Sequence, residues 1–376
     1  MPTLALEWFG MTLAPESQMD QTAIRGGVVA AVAAAWIGYL IRRPSRESFR
    51  GKTVVISGGS RGLGFALARV FAAEGANLAL LARSPDQLYA AAARLQTEAG
   101  IHPRVVVCDV REESQVRAAI STVVAQTGRV DVLVNNAGII SVMPFAHAQP
   151  EDFRDSLETH FWGPYYLTRA CLPYLKRQAG RIVNISSIGG RVAVPHLLPY
   201  TVGKFALVGL SEGLHAELAA SRVSVTTVAP HLMRTGSHRN ALVRGRHKNE
   251  ATWFALGTST RLTALNAHRA ARAIVRAARA RRASLVLGWP AKAAVLANAM
   301  APEMTAAAAA TAARLLPSST RPSSGDIGRW SSDVDVGAVA RLFPSRVARD
   351  LNQRLAADEA RGQAGSGTPN SARALP

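Results

Sequence analysis

The chain has 376 residues, enough for one large domain or two smaller ones with a sizeable core. Its two cysteines, Cys108 and Cys171, exclude a disulfide-stapled scaffold, and their apolar neighbours make them core thiols rather than nucleophiles or ligands. Lysine and arginine outnumber aspartate and glutamate 44 to 25, a net charge of +19; twelve of these cations and one acid, Glu250, lie between 234 and 282, a region drawn to anionic surfaces, lipid or nucleic acid.

Residues 1–50 form an N-terminal segment around an uncharged, alanine-rich run at 26–41. A bilayer span needs about 20 apolar residues, and flanking arginines with Trp36 and Tyr39 extend a shorter run. The expectation is a membrane anchor; the alternative is an amphipathic docking helix. Arg42, Arg43, Arg46, Arg50 and Lys52 follow the run, so the positive-inside rule turns the rest of the chain toward the cytoplasm.

From Thr53 strands alternate with helices. TVVIS (53–57), NLALLA (77–82), RVVV, VLVN, RIVNIS (181–186) and VSVTTVAP (223–230) are buried-type strands. Helical runs follow the glycine turn at 58–64 and cover 86–99, 112–127, 151–178 and roughly 199–220. This alternation predicts an α/β fold with a doubly wound parallel sheet, the Rossmann fold. The rhythm breaks at 231–266, then a basic helix (268–282) and a last strand (284–288) complete a catalytic domain over 51–290. An apolar helical extension at 291–316, interrupted by Pro302, precedes a basic Ser/Pro/Gly-rich tail. The tail, 317–376, is read as largely disordered, with one amphipathic stretch around 337–357.

Gly58, Gly62 and Gly64 sit between the first strand and first helix. Glycines there let a pyrophosphate approach the backbone, and the helix N-terminus offers free N–H groups. A site for NAD usually carries Asp or Glu at the end of the second strand. Here Ala82 and Arg83 stand there, and Arg61 lies in the glycine loop. Two guanidiniums suit a 2′-phosphate, which points to NADP(H).

Downstream, Ser187 ends a strand, and Tyr200 and Lys204 lie one helical turn apart after Pro199. A serine, a tyrosine and a lysine at the strand ends of such a sheet can move a proton at a carbonyl or alcohol oxygen. A cation one turn away is expected to lower the tyrosine pKa from its usual value near 10.

With the glycine loop, NNAG at 135–138, Ser187 and the Tyr200/Lys204 pair in this order and spacing, the chain resembles the short-chain dehydrogenase/reductase family over about 51–235. The resemblance implies that Tyr200 is the general acid/base, that Lys204 lowers its pKa and holds the nicotinamide ribose, and that Ser187 positions the substrate oxygen. It places the cofactor against Gly58, Ser60, Arg61, Gly62, Leu63 and Gly64. It also implies contacts from Asp109 and Val110 near the adenine, from Asn136, Ala137 and Gly138, and from Pro230 and Thr235. Two positions depart from the family pattern. His160 stands where a proton-relay asparagine usually sits; it either substitutes in the relay, since a histidine titrates near neutral pH, or merely satisfies local backbone groups. His231 follows Pro230 where glycine is usual. No metal is implied.

The leading expectation is an NADP(H)-dependent oxidoreductase of carbonyls or secondary alcohols with an apolar, lipid-like substrate, membrane-associated through 26–41. The alternative is a membrane-associated NADP(H)-binding protein with little catalysis. Nucleic-acid binding through 234–282 rests on charge alone and lacks interleaved aromatics. Related proteins are often homodimers or homotetramers, and the same is implied here.

Overall fold

Runs of valine, isoleucine and leucine bounded by glycine become strands, and the alanine-rich stretches between them become helices. The computed structural model describes residues 47–259 and 264–317, with positions 27, 30, 329, 330, 347 and 350–353. In chain order the first half comprises β1 (Thr53–Ser57), α1 (Gly62–Ala73), β2 (Asn77–Ala82), α2 (Pro85–Ala99), β3 (Arg104–Val107), α3 (Glu113–Thr127), β4 (Val132–Asn135) and β5 (Ile140–Val142). Then come α4 (Pro150–Leu157), α5 (Gly163–Arg177), β6 (Arg181–Ile185), α6 (Leu198–Glu217) and β7 (Ser224–Pro230). The last part holds β8 (Met233–Arg234), β9 (Ala241–Val243), α7 (His247–Ser259), β10 (Leu265–Asn266), α8 (Ala267–Arg279) and β11 (Ser284–Leu287), followed by α9 (Trp289–Met300), α10 (Pro302–Leu315) and β12 (Arg329–Trp330).

Seven strands form one parallel sheet in the order β11-β7-β6-β4-β1-β2-β3, the expected doubly wound arrangement. Its strands are apolar on both faces because helices cover both. Phe65 and Phe71 of α1, Leu88 and Leu95 of α2 and Ile274 of α8 pack on one face. Val116 and Ile120 of α3 with Leu167 and Cys171 of α5 pack on the other. Val54, Val55 and Ile56 are completely buried, each worth about 1.5–3 kcal/mol relative to exposure. The order reverses between β1 and β4, so their C-terminal ends open a crevice.

Several expectations need correction. The helical region over 151–178 is continuous but not uniform: α4, a π-helical turn at Glu158–Trp162, and α5 follow one another without a break. The π turn carries His160. The broken stretch after Pro230 contains a full helix, α7, and small β pairings. Three arginines of the basic region are engaged within the fold. Arg244 binds the buried Asp152 at 3.1 Å, Arg279 binds Glu74, and Arg281 donates to the carbonyls of Ala179 and Arg222. The tail contributes two short pieces: β12 pairs with β9, and Leu351 is buried in the main core.

Both cysteines are buried; burial, then the Asp109 charge, pushes the Cys108 thiol up to about 11, and burial pushes Cys171 up as well. Among the described residues no helix is long and apolar enough to cross a membrane. The 26–41 run lies outside those residues apart from Gly27 and Ala30.

Candidate active site

A cavity of about 990 Å³ runs across the C-terminal ends of β1, β4, β6 and β7. At one end it meets the glycine loop. Gly58 adopts φ +64 and Gly62 φ +57, both in the left-handed region that favours glycine. A Cβ on Gly64 would stand 2.0 Å from the Gly58 carbonyl oxygen. The loop is clamped from β4: Asn136 Nδ2 donates to the Ser57 and Gly58 carbonyls at 3.0 and 3.1 Å, and the Asn136 and Ala137 amides donate to Ser57 Oγ. The result is a flat backbone cradle at the N-terminus of α1, suited to a pyrophosphate.

Ser60, Arg61, Leu63, Arg83, Asp109 and Val110 line the same arm. Asp109 is held below the usual carboxylate range: burial opposes this, but hydrogen bonds from Arg111 at 2.8 Å and the nearby Arg83 outweigh it. Arg83 lies 3.9 Å from Asp109 and its side chain is 54 % exposed, so it remains available to an anion. Arg61 donates to Asn240. The residues present therefore fit a dinucleotide.

At mid-cavity, β6 and α6 bring together Ser187, Tyr200 and Lys204, with His160 behind them. Ser187 caps the turn that follows β6, its Oγ accepting the Gly189 N–H at 3.1 Å. Pro199 opens α6, and Tyr200 and Lys204 then share a face, the Lys204 Nζ 5.6 Å from the Tyr200 ring centroid. Lys204 is buried and donates to the Ile185 carbonyl at 2.9 Å. Gly138, Pro230 and Thr235 complete this wall.

Electrostatics differ from the expectation. Burial raises the Tyr200 pKa, and a hydrogen bond from Ser187 only partly pulls it back. Burial lowers Lys204 to about 7. Two desolvated groups of this kind both favour their neutral forms, so the lysine does not by itself draw out a phenolate.

The lysine shift predicts a pH effect on stability. Its folded pKa, about 7, lies below its ordinary 10.5, so the unfolded chain binds the extra proton between those values. Stability conferred at this position therefore rises as pH goes from 7 toward 10. Unfolding free energies of wild type against Lys204→Met, from denaturant melts, should diverge by on the order of a few kcal/mol across that range. A constant difference would show that Lys204 titrates normally.

His160 is completely buried in the π turn. The Ile139 amide donates to its Nε2 at 3.2 Å, which assigns the proton to Nδ1, and Nδ1 then donates to Ser156 Oγ at 3.2 Å. Burial, then the Lys204 charge, holds its pKa well below the ordinary value. It meets the Tyr200 ring edge-on at 5.4 Å. Of the two roles open to it from sequence, these contacts favour local satisfaction over titration.

The other cavity arm is apolar, with Ile188, Val192, Leu197, Leu232 and Phe254. Trp253 joins them, its indole N–H on the buried Glu250 carboxylate at 2.7 Å, which also meets His196 Nδ1 at 2.9 Å. His231 also lines the cavity. Sequence reasoning missed Trp253, Phe254 and Leu232, and also Asn240 and Gln353, which line the phosphate arm. Only the apolar run WFALG hinted at the first two.

Comparison with known proteins agrees with this geometry. A short chain dehydrogenase family model matches residues 52–243, about half of the chain. Oxidoreductase UcpA of Salmonella typhimurium is 40% identical over 187 residues, 49% of this chain and 70% of that protein. The 11-beta-hydroxysteroid dehydrogenase-like 4A protein of Arabidopsis thaliana is 35% identical over 192 residues, 51% of this chain and 64% of the relative. Among solved structures, a short-chain dehydrogenase from Streptomyces avermitilis superposes with TM-score 0.61 at 28% identity, covering 70% of this chain and 97% of that one. L-sorbose reductase from Gluconobacter frateurii, complexed with NADPH and L-sorbose, superposes with TM-score 0.58 at 27% identity, covering 64% and 96%. A glycine cradle at the β1–β4 crevice, a serine, tyrosine and lysine on its floor, and a family match over half the sequence lead to one conclusion: the chain belongs to the short-chain dehydrogenase family of oxidoreductases.

Proposed function

We propose that the protein is an NADP(H)-dependent oxidoreductase that interconverts a carbonyl and a secondary alcohol on an apolar substrate. The observation that carries this is the position of Tyr200, Ser187 and Lys204 where a phosphate-binding arm with two arginines meets an apolar arm. A bound nicotinamide supplies or takes up the hydride. Arg61 and Arg83 would hold the extra phosphate, and the first-turn amides of α1 the pyrophosphate. Ser187 Oγ holds the substrate oxygen, and the Tyr200 hydroxyl donates a proton to it during reduction. Its raised pKa keeps that proton in place until the oxygen becomes basic. Lys204, buried and 5.6 Å from the Tyr200 ring, stabilises the tyrosinate left behind. The L-sorbose reductase neighbour, complexed with NADPH, supports the cofactor assignment. The apolar arm argues for a less polar substrate than a sugar.

The test is cofactor consumption by purified protein across apolar ketones and aldehydes, with NADPH and NADH in parallel. Turnover with NADPH preferred is expected; binding without turnover on any carbonyl would move the site to a cofactor-binding role. The apolar 26–41 run and the cations after it support a tether that leaves this domain on the cytoplasmic face. Full-length protein should sediment with membranes through an alkaline wash, and a chain lacking residues 1–45 should not.

A further inference from the structure

We propose that Val347 and residues 350–353 of the C-terminal tail are a built part of the cofactor site: a strap beside the glycine loop that slows exchange of the dinucleotide. This rests on the cofactor assignment above. The strap lies within the amphipathic stretch around 337–357, which the rest of the site leaves unexplained.

Its anchors are hydrophobic and ionic. Leu351 is 1 % exposed and belongs to the same core cluster as Phe65 and Leu88, with Val347 packed beside it. The Asp350 carboxylate meets Arg69 of α1 at 2.8 Å and His268 of α8 at 2.6 Å, and its carbonyl accepts from Arg94 of α2 at 3.2 Å. Three helices thus grip one residue.

The remaining groups bond residues that line the cleft. The Leu351 carbonyl accepts the Gly62 N–H at 2.9 Å. Asn352 turns the chain with φ 56, a left-handed conformation that asparagine tolerates. Its Nδ2 donates to the carbonyls of Ser60, at 2.7 Å, and Gln87, at 3.2 Å. Gln353 is 7 % exposed; its Nε2 donates to the Thr235 carbonyl at 2.7 Å, and its Oε1 accepts from Asn240 Nδ2 at 3.2 Å. Asn240 in turn accepts from Arg61. Through these bonds the glycine loop is tied to the neighbouring 235–240 segment.

The strap lines the cleft without filling it. Gln353 borders the cavity beside Arg61, Gly62 and Thr235. A helix N-terminus has several unpaired first-turn amides. Leu351 occupies that of Gly62, which leaves those of Leu63 and Gly64 to an incoming phosphate. A dinucleotide reaching Arg61 and Arg83 therefore lies next to Gln353, and the bridge from the loop to the 235–240 segment must open for it to leave. Holding both segments in the binding geometry also lowers the cost of ordering them on binding.

The test is NADPH binding by fluorescence, with the dissociation rate from rapid displacement. Full-length protein is compared with an Asn352→Ala/Gln353→Ala double variant and with a chain ending at residue 346. The double variant keeps the Leu351 anchor, and a thermal melt verifies its fold. Both variants should release NADPH about tenfold faster or more, with matching loss of affinity. An unchanged rate and affinity in the folded double variant would overturn the strap, as would tighter binding, which marks an obstruction. Full-length protein that binds neither NADPH nor NADH would instead overturn the cofactor assignment, and the strap with it.

Discussion

Tyr200→Phe lowers kcat by about 10³-fold or more, with NADPH affinity nearly unchanged. The size follows from losing a positioned general acid, worth roughly 10²–10⁴-fold. The ring is retained, so its edge-on contact with His160 at 5.4 Å survives, and Lys204 keeps its bond to the Ile185 carbonyl. Ser187 loses a partner but still accepts from Gly189. The stability cost should therefore stay near that of one hydrogen bond, about 1 kcal/mol. Steady-state rates with substrate and cofactor both saturating, alongside an NADPH titration, separate these effects. A variant with full kcat would remove Tyr200 from the chemistry. A variant that lost cofactor affinity in proportion would assign it to binding.

Gly64→Ala should abolish measurable cofactor binding, a loss of at least about 100-fold. Helix propensity alone favours the alanine by about 1 kcal/mol. Sterics oppose it more strongly. The new Cβ would stand 2.0 Å from the Gly58 carbonyl oxygen and 2.6 Å from Asn136 Nδ2. The first of these atoms is backbone and cannot rotate away. The second is the clamp that holds the loop to β4. Overpacking of this kind typically costs about 1–3 kcal/mol and sometimes more, so the loop is displaced and the net effect on stability is unfavourable. Gly213→Ala is the control: it lies in α6 with nothing within 4 Å of its Cβ position. That variant should gain up to about 1 kcal/mol in a thermal or urea melt and bind NADPH normally. If Gly64→Ala behaved like Gly213→Ala, the cradle would not be the cofactor site.

The readable part of the fold was local. Strand and helix alternate from Thr53 onward because their hydrophobic periods differ, and the parallel sheet follows from that alternation. Boundaries were weaker where one chemistry ran through several elements. The stretch 151–178 is helical throughout, as its composition suggests, but the sequence does not show the π turn within it, where the His160 side chain meets Ile139, Ser156 and Tyr200. The arginines of 234–282 read as a region drawn to anionic surfaces, and the sequence does not show which of them the fold itself engages. Asp152, Glu74 and free carbonyls elsewhere in the fold use three of them.

Sequence alone established the chemistry-bearing spacings. Three glycines between a strand and a helix make a cradle, and a tyrosine one turn from a lysine shares its face, because both relations are set within a few residues of backbone geometry. Charge state was decided by the tertiary structure. Burial raises Tyr200, lowers Lys204 to about 7 and keeps His160 neutral, and burial is the sum of neighbours drawn from the whole fold. The same holds for the strap. Asn352 reaches Ser60 across 292 residues of chain, a contact that no local period encodes and that exists only because Leu351 has a core to enter.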